Sequence, residues 1–260
     1  MKKEVLNIGV LGAGTWGIAL ATVLAKNKNS VVVWSAISEE IDELCATRKH
    51  KNLPDMRIPN NVEFVKDLAV ACDNKDMLIV AVPSVFVRKV SHQLRDKINS
   101  ETIVVSVSKG IEEDTLYTMT EVIRSEIGTN NCIVALSGPT HAEEVAMEMP
   151  SAIVSACDDS QASEFVQRIF INTCLRVYSN SDVLGVELCG AMKNIIALAV
   201  GIADGLGYGD NTKAAIITRG MAEISRLGKK IGCSENTFGG LAGIGDLIVT
   251  ATSIHSRNNK

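Results

Sequence analysis

Val5-Leu-Asn-Ile-Gly-Val-Leu-Gly-Ala-Gly-Thr-Trp-Gly17 decides the fold. Val5–Leu11 is an apolar run of the length of one buried strand. Gly12-Ala-Gly14-Thr-Trp-Gly17 follows as G-x-G-x-x-G, and Thr15–Lys26 then places Ile18, Leu20–Ala21 and Leu24–Ala25 at helical spacing. Glycine-rich turns are common, so the pattern alone says little; between a strand and a helix it reads as a dinucleotide-binding loop. Gly12 permits the tight turn, Gly14 lets backbone approach a pyrophosphate, and Gly17 allows close packing of helix on strand. The amides of Thr15 and Trp16 then face the phosphates, where the helix dipole also favours negative charge. A structural turn without a ligand is the alternative.

Working outward, short β-branched runs alternate with amphipathic stretches. Strands are expected at Val31–Trp34, Met77–Val82, Thr102–Val107, Cys132–Ser137, Ala152–Ala156 and Arg176–Tyr178, and helices near 38–48, 85–97, 115–127, 141–147 and 160–171. Unbroken apolar strands separated by helices predict a parallel sheet covered on both faces. The pattern changes after Ser179. Val183–Ala203 is apolar at helical spacing with Lys193 and Asn194 in its middle. Gly205–Gly209 then leads to Asp210, an expected N-cap for a helix over Thr212–Ile231. A strand returns only weakly, around Leu247–Val249. This divides the chain into 1–179, an α/β Rossmann-type dinucleotide-binding domain, and 180–260, an all-α domain.

The end of the second strand normally selects the cofactor: an acid bonds the ribose 2′-hydroxyl, an arginine takes a 2′-phosphate. Here it offers Ser35, Ala36, Ile37 and Ser38, with acids only at Glu39 and Glu40. The cofactor is therefore NAD or NADP. Arg48, Lys49 and Lys51 are either a phosphate-reaching group or a solvated basic face.

Composition bounds the rest. Apolar residues make up 46%, charged residues 22% and aromatics 4% of the 260 residues, so a sizeable core must be built from Val, Ile, Leu and Ala. A formal charge of −4 excludes a protein that coats nucleic acid, while an anionic substrate held by a few local cations remains open. Seven scattered cysteines, none spaced C-x-x-C, read as reduced thiols of a cytoplasmic protein and not as a disulfide or zinc framework. The amino terminus reads as a buried strand and not a signal peptide. No stretch is expected to supply the roughly 20 apolar residues of a membrane span, and no metal site is expected.

Ser-Lys109-Gly and Ser137-Gly138-Pro-Thr140-His-Ala142 each end a predicted strand at the edge where α/β ligands sit. Together with GAGTWG, the stretch from Arg176 to Ala215, Leu241-Ala-Gly-Ile-Gly-Asp-Leu247 and His255-Ser-Arg-Asn258, they cover nearly the whole chain. The sequence resembles the bacterial-type NAD(P)-dependent glycerol-3-phosphate dehydrogenases. That resemblance implies a Rossmann domain followed by a 6-phosphogluconate dehydrogenase C-terminal-like helical domain. It implies reduction of dihydroxyacetone phosphate to glycerol 3-phosphate for phospholipid synthesis, in the cytoplasm, by a chain that is a homodimer at full length. It assigns Lys193 as proton donor or acceptor and Lys109 to both substrate and cofactor. Gly138, Thr140, Asn194, Asp246, Thr250, Ser256, Arg257 and Asn258 fall to the substrate, and Ala142 and Arg257 to the cofactor. Family members often have a basic residue where Ala36 stands. Their chains also continue for several helices beyond the H-S-R-N run, so the substrate domain here is expected to be incomplete. Two rival readings are a dehydrogenase of a hydroxy or sugar acid, and a nucleotide binder made inactive by the missing helices.

A lysine amine must be neutral to accept a proton, which at pH 7 needs a fall of about 3 units from ~10.4, whereas reduction needs the protonated form. Burial in the apolar helix and repulsion from Lys109 are expected to push Lys193 down, Asp246 and the substrate phosphate to push it up. Reduction is expected to dominate at neutral pH.

Overall fold

Each apolar run predicted in the first two-thirds of the chain becomes a strand of one sheet in the computed structural model, which describes residues 5–253 and 256. The strands are β1 (Asn7–Leu11), β2 (Ser30–Trp34), β3 (Val62–Val65), β4 (Met77–Val80), β5 (Ile103–Ser106), β6 (Ile133–Ser137), β7 (Ser151–Ala156) and β8 (Leu175–Asn180). Between them run α1 (Thr15–Lys26), α2 (Ser38–Thr47), α3 (Leu68–Cys72), α4 (Ser84–Leu94), α5 (Met119–Ile127), α6 (Ala142–Ala146) and α7 (Ser160–Ile169). After the sheet come α8 (Val183–Gly205), α9 (Asp210–Lys230), α10 (Glu235–Phe238), a π-helical turn over Leu241–Gly245, and α11 (Asp246–Thr252).

The sheet order is β3-β2-β1-β4-β5-β6-β7-β8. Because the order reverses between β1 and β4, the turns after these strands diverge and leave a crevice at their carboxyl ends. Side chains alternate faces as the pleat requires. Ile8, Val10, Val31, Val33, Met77 and Ile79 join α1 in one buried layer; Leu11, Val32, Leu78, Val80 and Val104 join residues of α4 and α5 in the other.

Several expectations need correction. The sheet is not wholly parallel: β7 runs antiparallel to β6 and then pairs in parallel with β8. Leu247–Val249 is not a strand but the middle of α11, whose Leu247 and Ala251 are buried against Ala197 and Val200 of α8. Packing on a neighbouring helix overrides the β-branched run. Asp210 is not the N-cap of α9; Gly209 is, and Asp210 opens the first turn. The helix expected from 115 starts at Met119, because Leu116 has φ +59° and Thr118 with Glu121 closes a capping box. Two elements, β3 and α3, had no sequence signal. Finally, α8, 23 residues long, is long and apolar enough by length and composition to cross a membrane, with a mean hydropathy of 1.7 over an 18-residue window, against the expectation that no stretch would be.

Two ionisable side chains nevertheless lie buried in α8, Glu187 and Lys193. The carboxylate of Glu187 accepts from the backbone N–H of Thr120 at 2.9 Å and also bonds the Thr120 hydroxyl, tying α8 to the start of α5. Burial pushes this carboxyl above its ordinary value, against the pull of the Thr120 and Thr118 bonds. A raised folded pKa means that the proton is held in the folded chain and lost from the unfolded one. The stability it contributes is full below the ordinary glutamate value of about 4.3 and is lost as pH rises through the folded value. Glu187→Gln, which can accept from the amide and donate to the hydroxyl, should therefore gain stability relative to the parent as pH rises from about 4 toward neutral. Glu187→Ala should lose about 2–3 kcal/mol by stranding the Thr120 amide. Thermal melting of both variants across pH checks the pair of signs.

Candidate active site

The glycine loop occupies the crevice between β1 and β4. Gly12, at φ +124°, donates its N–H to the Trp34 carbonyl at 2.8 Å, and a Cβ there would lie 2.5 Å from the Ala81 carbonyl oxygen after β4. A Cβ on Gly17 would lie 2.2 Å from the Gly12 carbonyl oxygen. Both positions therefore demand glycine for packing. Gly14 differs: it is exposed, and a Cβ on it would meet open space. Missing bulk that nothing in the protein fills is the cradle a pyrophosphate requires. The first intrahelical bond of α1 runs from Ile18 N–H to the Gly14 carbonyl, so the amides of Thr15 and Trp16 precede the hydrogen-bonded ladder and stand at the open end of the dipole. The loop fits a dinucleotide phosphate.

Along the same edge of the sheet, β5 delivers Lys109 and β6 delivers Gly138 and Thr140. Lys109 Nζ donates to Asp246 Oδ2 at 2.6 Å and to the Gly138 carbonyl at 3.4 Å; the Thr140 amide also bonds that carbonyl, at 2.9 Å. From the opposite side, Lys193 Nζ donates to Asp246 Oδ1 at 2.5 Å and to Thr250 Oγ1 at 2.7 Å, and the Thr250 hydroxyl donates in turn to the Asp246 carbonyl. One carboxylate, 1% exposed, thus bridges two ammonium groups that come from different parts of the fold. Asp246 opens α11, and its carboxylate is turned to the two lysines.

Local backbone chemistry explains these placements. Gly190 sits one turn before Lys193 on α8. A Cβ there would crowd Ser137 Oγ at 3.1 Å, so its absence lets the helix approach the end of β6, with the Lys109 stem alongside at ordinary contact distance. Gly243 lies in the π-helical turn just before Asp246, and a Cβ on it would collide with the Phe238 carbonyl at 2.2 Å. That wider turn feeds Asp246 into the first turn of α11, where an acid is favoured.

Burial, then the Lys109 ammonium, push Lys193 down to about 7, while Asp246 pulls upward. This is the balance expected from sequence, and at neutral pH it leaves the amine close to half-protonated. Lys109 is more open, with a quarter of its side chain exposed.

The remaining sequence-derived residues fall in three groups. Asn194 follows Lys193 on α8 and is half-buried. Ala142 opens α6, which packs on α1, so it shares a neighbourhood with the glycine loop. Ser256 is buried, with its hydroxyl lacking a hydrogen-bond partner. Arg257 and Asn258 lie outside the described residues. Arg48, read as a possible phosphate ligand, is committed elsewhere: it donates to the Val62 and Asn60 carbonyls at 2.6 and 2.9 Å and stacks over Phe64. Sequence reasoning missed Glu187, Ser106 and Ser137, which line a small cavity with Lys109 and Gly190. Glu187 carried the same signal that singled out Lys193, a charge inside an apolar helix. Among the described residues no group of three or more His, Cys, Asp or Glu is arranged to hold a metal ion.

A cofactor loop and two lysines sharing one carboxylate thus stand at one edge of a Rossmann sheet. Family models described as NAD-dependent glycerol-3-phosphate dehydrogenase N-terminus and C-terminus match residues 7–163 and 182–260. A glycerol-3-phosphate dehydrogenase [NAD(P)+] of Lactobacillus delbrueckii subsp. bulgaricus is 58% identical over 257 residues, covering 97% of this chain and 76% of the relative. One from Fusobacterium nucleatum is 50% identical, covering 98% and 77%. Among solved structures, the glycerol-3-phosphate dehydrogenase of Coxiella burnetii superposes with a TM-score of 0.95 at 37% identity, covering 99% of this chain and 79% of that one. With both halves matched and half or more of the aligned residues shared with the Lactobacillus and Fusobacterium relatives, the chain belongs to the NAD-dependent glycerol-3-phosphate dehydrogenase family.

Proposed function

We propose that the chain catalyses the reversible NAD(P)H-dependent reduction of dihydroxyacetone phosphate to sn-glycerol 3-phosphate, the step that supplies glycerophospholipid synthesis. The observation that carries the assignment of roles is the Asp246 carboxylate shared by Lys193 and Lys109. When bound, the cofactor supplies or takes the hydride, so the protein must hold the carbonyl carbon in place and move one proton. Gly12, Gly14, Thr15, Trp16 and Gly17 would hold the pyrophosphate, with Lys109, Ala142 and Arg257 completing the cofactor side.

Lys193 is the proton donor to the carbonyl oxygen in reduction and the acceptor from the hydroxyl in oxidation. Asp246 and Thr250 fix its amine at a single point, which spares the rotamer entropy that a free lysine would lose on reaching the substrate. Lys109 presents a second positive charge toward the developing alkoxide. Gly138, Thr140, Asn194 and Ser256 line the substrate, and Arg257 with Asn258 offers a forked donor to its phosphate.

The division of labour we propose is cofactor binding by residues 1–179 and substrate binding with proton transfer by 180–260. The last strand ends at Asn180 and α8 begins at Val183. We also read the protein as cytoplasmic, without a membrane span, and as a homodimer at full length. Free thiols at all seven cysteines support the compartment, and the protein partners of both buried charged residues in α8 support a helix packed within protein.

Oxidation of NADH and of NADPH by dihydroxyacetone phosphate, set beside a panel of keto acids, tests the reaction. Turnover confined to keto acids would reject it. Lys193→Ala should lower kcat by about 10²–10⁴ with the dissociation constant for NADH nearly unchanged. Because Lys193 titrates near 7, kcat/KM for reduction should fall as pH rises through about 7, and that for oxidation should rise over the same window. Asp246→Asn removes the group that raises the Lys193 pKa, so the reduction limb should move to lower pH. Initial rates in both directions from pH 5.5 to 9 check the sign.

A further inference from the structure

NAD and NADP differ by one phosphate on the adenosine ribose, so the choice between them is made by the charge at the tip of β2. Ser35, buried at that tip, donates its hydroxyl to Glu40 Oε2 at 2.8 Å and accepts from the Ile37 amide at 3.1 Å. The Glu40 carboxylate is thus tethered to the strand end, although it belongs to the first turn of α2. Glu40 and Glu43 line one cavity with Ala13 of the glycine loop, and Leu44, Lys49, His50 and Lys51 complete its wall. The Gly12 amide bonds the Trp34 carbonyl, so the glycine loop that supplies Ala13 to this cavity also adjoins the end of β2.

The basic residues nearby are poorly placed to fork a 2′-phosphate. Arg48, the side chain best shaped to fork a phosphate, spends its guanidinium on the Val62 and Asn60 carbonyls. Burial and then the Lys51 charge push the His50 imidazole below its ordinary value, which disfavours its charged form. Lys49 and Lys51 remain, facing Glu40 and Glu43 across the same cavity, and ammonium groups on flexible stems lack the planar fork.

We propose that this chain selects the dinucleotide whose adenosine ribose has a free 2′-hydroxyl, and that Glu40, held by Ser35, is the specificity-determining residue. Its carboxylate accepts from the 2′-hydroxyl and repels a 2′-phosphate. The role usually filled by an acid on the strand end passes here to one on the following helix. The inference rests on the dehydrogenase reading, in which the glycine loop holds the cofactor.

The test is binding, not turnover. Dissociation constants for NADH and NADPH are measured on the full chain without substrate, by titration calorimetry. The parent chain should bind NADH at least about tenfold tighter than NADPH. Glu40→Gln keeps the bond to Ser35 but drops the charge, and should narrow that ratio by about tenfold, mainly through tighter NADPH binding. Ala36→Arg adds a fork at the same strand tip and should shift the ratio in the same direction. Equal affinities in the parent chain, or a ratio unmoved by Glu40→Gln, would overturn the proposal. So would an NADPH preference that is lost on changing Lys49 and Lys51 to Gln, which would assign the choice to the lysines. Binding of neither nucleotide would sink the dehydrogenase reading and this inference with it. Selective NADH binding without turnover of dihydroxyacetone phosphate would break the reading of the reaction alone.

Discussion

One carboxylate between two ammonium groups holds the site together. Two buried cations within reach of each other would repel strongly at low dielectric, and a lone buried carboxylate would take up a proton. Sharing Asp246 makes burial of all three tolerable, yet the cluster keeps an excess positive charge when both lysines are protonated. Burial first, and that excess second, loosen the proton of Lys193, the more buried of the two lysines. Structure and reactivity therefore share a cause. The same ion pairs join the end of β5 to α8 and α11, so the helical part is anchored to the sheet at the place where chemistry would occur.

What makes the cluster reproducible is the register of α8. Glu187, Gly190 and Lys193 are spaced three residues apart and lie on one side of the helix. Glu187 pins the rotation of the helix by bonding Thr120 at the start of α5. Gly190 lets it approach the sheet closely by leaving room for Ser137 at the end of β6. With rotation and separation fixed, the Lys193 amine has one place to go. A catalytic group on a rigid helix, positioned by packing remote from its own amine, is held more tightly than one on a loop.

The legible parts of the sequence were those whose cause is local. Gly12, with its positive φ, and Gly17, whose Cβ would meet the Gly12 carbonyl, answer in part to the loop's own backbone, so their spacing could be read without the fold. Lys193 stood out because a charge in an apolar helix needs a reason. Other features depend on partners far along the chain. The antiparallel setting of β7 leaves no trace in periodicity, since a buried strand is apolar whichever way it runs. The four-residue β3 sits at the sheet edge and is held partly by Arg48, a residue whose exposure in a sequence reading would be the default. Leu247–Val249 carries β-branched residues yet coils, because α8 offers an apolar face to a helix there.

The tip of β2 shows how a missing motif can be replaced by geometry. A short strand ending in Ser-Ala-Ile has no charged group of its own with which to read a ribose. A serine hydroxyl, however, can orient a carboxylate delivered from one turn further on, and α2 begins close enough for Glu40 to reach it. Residue-by-residue comparison at the strand end misses such an arrangement, because the acid is displaced in sequence while its charge is restored in space. The electrostatic requirement fixes where a charge must stand, and it is indifferent to which backbone position carries it.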